Sequence, residues 1–208
     1  MKTINPSPGF RLSNVTRFCL AAGLSLATLS AAPRAKADQP NGVYQVTGGQ
    51  SLVITDSGTF RVPPKYLREI LTQCGPIQVR KKKLQMKGDI VECFHRILYR
   101  SLTFSDGSEV DTTKVRNSPS ITFKDRGASF TGKASEPIRS TITRVYDGDI
   151  ENFYLRLTTD VSAKVIDDKI TVTFRYTGRS ENYQNTGKIV ISGTTSRTAT
   201  SSTLTSLP

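Results

Sequence analysis

Apolar and polar residues alternate over positions 161–165 and again over 169–174, on either side of Asp167-Asp168. If those two aspartates form a turn, Val165 faces Ile170, Ala163 faces Val172 and Val161 faces Phe174. Lys164 then faces Thr171, and Ser162 faces Thr173, on the opposite side. Shifting the pairing by one residue would turn the whole apolar set outward, so burial specifies the register. The same period of two recurs along much of the chain, with turn signals about every ten residues, which predicts antiparallel β structure.

Further strands are expected over residues 42–46, 51–55, 59–62, 77–86, 90–104, 109–116, 120–123, 128–133, 138–146, 150–159 and 187–192. One segment breaks the alternation. Pro63-Pro64 opens it, Tyr66, Leu67, Ile70, Leu71 and Cys74 fall on one face, and Gly75-Pro76 ends it. This pattern predicts one short helix over 64–74. The expected fold is mainly β, an antiparallel barrel, with a two-sheet sandwich as the alternative. A barrel removes exposed strand edges.

Residues 1–37 have the layout of a secretory signal peptide. Lys2, Arg11 and Arg17 precede or border an apolar stretch over 18–32, and Ala35-Lys36-Ala37 offers a cleavage site before Asp38. A bilayer span needs roughly 20 consecutive apolar residues, and this stretch is interrupted by Ser25, Thr28 and Ser30. The expectation is an exported bacterial protein, periplasmic or extracellular, not transmembrane once the signal is removed. Residues 38–192 would form a single β-rich domain. Residues 193–208, rich in Ser and Thr, would form a flexible tail.

Cys74 and Cys93 remain after residue 37. In an oxidising compartment an even pair predicts a disulfide, here tying the helix to a strand. The charge is concentrated around them. Residues 38–208 hold 24 Lys and Arg against 17 Asp and Glu, a net of +7. Between Arg61 and Arg100 there are ten cations and three acids, so the whole excess lies in that block. Arg80, Lys81, Lys82, Lys83, Lys87, Arg96 and Arg100 are the candidate anion-binding residues, expected on a hairpin pinned to the helix. Alternatively, lysines on an exposed strand prevent edge-to-edge pairing.

Enzyme and metal constellations are sparse. His95 is the single histidine, no nucleophile-elbow sequence occurs, and no zinc ligand set can be assembled. No dinucleotide or phosphate-loop fingerprint is present, so no cofactor or metal is expected. Asp147, Asp149 and Glu151 fall at alternate positions, which suits either a polar hairpin tip or oxygen ligation of a hard cation. Glu92 with Glu136 is a conceivable carboxylate pair for hydrolysis.

These residues point to an exported, non-catalytic binding domain with a basic surface for anionic lipid headgroups or acidic polysaccharide. Nucleic acid ranks lower, because residues 80–87 interleave no aromatic with their cations. The alternatives are a carrier holding a small apolar ligand inside a β-barrel, and a hydrolase using carboxylates or His95.

Overall fold

A computed structural model describes residues 39–106, 109–145 and 153–195 of the chain. The expected signal segment, most of the expected tail and the Asp147, Asp149 and Glu151 string lie outside the described residues.

The protein is mainly β, built on one antiparallel sheet curled into a half-barrel. Its central strands are long: β1 (Gly42–Thr55), β10 (Phe153–Ile166), β11 (Lys169–Arg179) and β12 (Gln184–Thr195). The short strand β2 (Gly58–Phe60) folds back on β1. Beyond β1 come β3 (Ile77–Arg80), β4 (Lys83–Gln85) and β6 (Ser120–Thr122). On the other flank, β10 pairs along its first half with β9 (Ile138–Val145), which pairs with β5 (Glu109–Val115). Along its second half β10 pairs instead with β8 (Phe130–Lys133), which carries β7 (Lys124–Asp125).

The β10–β11 hairpin has the register that its alternation predicts. Val165 pairs with Ile170, Ala163 with Val172 and Val161 with Phe174. Asp167 takes a positive φ of 52° to make the turn. All six apolar side chains are buried.

Several expected boundaries change. Residues 42–55 form one strand with a register irregularity between Val46 and Gly48, rather than two strands. The expected strand over 77–86 instead folds back at Lys81 and Lys82, giving β3 and β4. The chain from Gly193 to Thr195, assigned to the tail, pairs with Val46, Gln45 and Tyr44 and belongs to β12.

The largest correction concerns residues 90–104. They are not a strand but most of α2 (Asp89–Asp106), the second of two helices among the described residues. α1 (Pro64–Thr72) is the expected helix, with Pro64 at its first turn. In α2, Ile90, Phe94, Ile97, Leu98 and Leu102 recur at helical spacing, and all are buried. Asp89 and Glu92 sit in the first turn, where carboxylates complement the helix dipole.

α2 lies against the sheet and fills its core. Phe94 stacks on Phe174 of β11, with ring centroids 4.5 Å apart, and meets Tyr176 edge-on at 6.4 Å. The disulfide joins Cys74, just past α1, to Cys93 in α2, with Cα atoms 5.2 Å apart. It therefore clamps helix to helix, not helix to strand.

Candidate anion-binding surface

The basic tip is the turn between β3 and β4. Arg80 pairs with Lys83, leaving Lys81 and Lys82 as a two-residue loop. Both loop residues have positive φ, 50° and 58°. This is the mirror-image turn that suits the twist of a hairpin, and it normally takes Asn-Gly because other side chains crowd the backbone there.

Neighbouring backbone holds the turn in place. The Lys82 amide donates to Asn41 Oδ1 at 2.7 Å. The Lys82 carbonyl accepts from the Phe123 amide at 2.9 Å. Leu84 is buried between Lys83 and Gln85, so those two side chains are directed outward.

Arg80, Lys81, Lys83 and Lys87 line one depression of about 670 Å3, together with Gln78 and Asp89. Lys82 occupies the same turn without lining the depression. Asp89 packs closely on Gly75, where a Cβ would lie 2.5 Å from its Oδ2. It supplies the depression's one carboxylate.

Arg96 and Arg100 are not part of this group. Both belong to α2, not to the hairpin on which they were expected. Arg96 forms an ion pair with Glu92 one helical turn away, and donates to Gln73 Oε1 at 2.8 Å. The Arg100 guanidinium lies 4.6 Å from the centre of the Tyr66 ring. These two arginines help to tie α1 to α2 beside the disulfide.

His95 is buried on α2, beside Phe94 and stacked on Tyr99 with ring centroids 6.0 Å apart. Burial lowers its pKa from 6.5 to about 4, so it is neutral at pH 7. Its Nε2 has no hydrogen-bond partner. Glu92, the other nearby candidate for acid-base work, is exposed and engaged by Arg96. Among the described residues no cluster of three or more His, Cys, Asp or Glu could hold a metal ion.

Two further recesses escaped the sequence reading. One lies between α1 and β1, has a volume of about 550 Å3, and is lined by Val46, Val62, Leu67 and Leu71, with Arg61 and Arg68. The other, of about 840 Å3, gathers Lys124, Arg126, Lys133 and Lys164 on the outer face of the sheet. The four cations come from segments separated by up to 40 positions. Nothing in their sequence spacing joins them, and the pairing of β7 with β8 and of β8 with β10 brings them together.

No helix among the described residues is long and apolar enough to cross a membrane. Compared with models of known protein families, with curated proteins and with solved structures, the chain matches none.

Proposed function

We propose that this chain is an exported, non-catalytic binding domain whose basic β3–β4 tip engages an anionic partner. One observation carries the reading: two lysines occupy a turn whose backbone favours Asn-Gly. Holding non-glycine residues at positive φ costs about 1 kcal/mol each, so the tip keeps charge at the expense of local stability. Such strain concentrates at functional positions. Protection of a sheet edge does not account for Lys83, because β4 is paired with β3 on one side and β6 on the other.

The disulfide is compatible with an oxidising compartment and supports export. A bridge between Ile121 and Ala134 links β6 to β8, and the Ser135 amide donates to the Ser120 carbonyl at 3.1 Å. These contacts favour closure of that part of the sheet into a barrel, in preference to a sandwich.

Reversing Lys81, Lys83 and Lys87 to Glu tests the role of the tip. Retention on an immobilised polyanion at low salt should fall about tenfold or more, since each exposed charge contributes roughly 0.2–1 kcal/mol and reversal also adds repulsion. Unchanged retention would remove the tip from the binding surface.

A second reading, a carrier of a small apolar ligand, is favoured by the recess between α1 and β1. The ligand would then lie outside the sheet, since α2 side chains occupy the core. Mass spectrometry of natively purified protein should detect a bound amphiphile that a Leu71→Gln variant loses. Identical spectra from the two proteins would count against it.

A further inference from the structure

Taking the anionic-partner reading as given, we infer that the outer face of β6, β8, β10 and β11 is a binding groove for a linear acidic polysaccharide, continuous with the basic tip. The bridge of Ile121 to Ala134 and the pairing of Lys124 with Thr131 share one register, which sets Thr122 opposite Lys133. Lys133 pairs with Ser162, Ser162 with Thr173, and Thr122 with Lys83 on its other side. One row across the strands therefore runs Lys83, Thr122, Lys133, Ser162, Thr173. The next runs Lys124, Thr131, Lys164, Thr171.

Both rows face outward, because the intervening Ile121, Ala163, Val165 and Val172 are buried. Cations and hydroxyls alternate from β4 to β10 in the first row and from β7 to β11 in the second, and no carboxylate lines the groove. Lys83 belongs both to the first row and to the depression at the tip, so the two basic surfaces meet at β4.

The chemistry selects the partner. Strands lie about 4.8 Å apart, so lysines on alternate strands repeat at roughly 10 Å, the length of a disaccharide. An acidic polysaccharide presents anionic groups at that repeat or at half of it, according to whether every second sugar or every sugar is charged, with hydroxyls between them that match the Thr and Ser side chains. No aromatic ring lines the groove, so bases would have nothing to stack on. No large apolar side chain lines it either, so nothing there would enter a bilayer. Lys133 and Lys164 lie on strands paired on both sides, so neither guards a sheet edge.

The test compares the wild-type protein, K124E/K133E/K164E, the tip variant K81E/K83E/K87E and a charge-matched control, K65E/K114E/R139E, which alters exposed cations on α1, β5 and β9, away from the groove strands and the tip. Each is eluted by salt from immobilised heparin and from polygalacturonate, and mixed with phosphatidylglycerol vesicles. The wild type should bind at least one polysaccharide. The groove variant should bind it about tenfold more weakly at low salt, while the control stays within about twofold of the wild type.

Equal loss in the control would show attraction by net charge alone and overturn the groove. A groove variant that binds normally, with loss confined to the tip variant, would overturn the groove and leave the proposed function standing. Binding to vesicles and to neither polysaccharide would also overturn the groove while sparing the anionic-partner reading. No binding to any of the three would end both. Thermal melting of every variant separates lost contacts from lost folding.

Discussion

At the scale of single residues, the two informative positions are a turn under strain and a buried titratable ring. Lys81 and Lys82 hold the left-handed backbone that Asn-Gly adopts more readily. The double change Lys81→Asn, Lys82→Gly should therefore raise stability by about 0.5–1 kcal/mol, read from the denaturant midpoint. It should also weaken polyanion binding. A loss of stability would show that the lysines contribute contacts beyond their charge.

His95 sets a dependence on acid. Its folded pKa of about 4 lies below the unfolded 6.5, so the unfolded chain binds the proton first. Stability is full above pH 6.5 and falls as pH drops towards 4, by up to roughly 3 kcal/mol from this group. His95→Gln should flatten that part of the stability profile. Parallel profiles for the two proteins would show that His95 is not the sensor.

At the scale of elements, α2 decides how the core is filled. Phe94 is fully buried and stacked on Phe174, and Phe94→Ala should cost about 3–5 kcal/mol. Chemical denaturation measures this; a cost below about 1 kcal/mol would place α2 away from the core. The helix was hidden in the sequence because Ile90, Val91, Phe94, Ile97 and Tyr99 are β-branched or aromatic and read as strand formers. The signal was nonetheless present: apolar residues at 90, 94, 97, 98 and 102 follow a helical period, behind Asp89 and Glu92. The β10–β11 hairpin, by contrast, was legible in full, because its turn and its alternation agree.

At the scale of the whole molecule, the sheet's close approaches and charge distribution depend on contacts between distant segments. Gly132 lets β6 lie against β8; a Cβ there would sit 2.5 Å from Ile121 Cγ2 and 2.6 Å from the Thr122 carbonyl oxygen. Gly132→Ala should destabilise the fold by about 1–3 kcal/mol through overpacking. An unchanged melting temperature would mean that the two strands are not pressed together.

Outside residues 61–100 the charges of residues 38–208 balance, with 14 cations against 14 acids. Counting along the chain therefore shows one basic block at residues 61–100. Folding divides it, leaving Arg96 and Arg100 between the helices, and assembles a second basic surface from the balanced remainder. Local pattern alone settled the β character, the first helix and the β10–β11 hairpin, since neighbours in sequence supply all the information those features need, and the pairing of Cys74 with Cys93 followed from their number. Which cations share a surface, which segment fills the core and where recesses open were settled by tertiary pairing, because a charge's partners are set by strand register across the sheet.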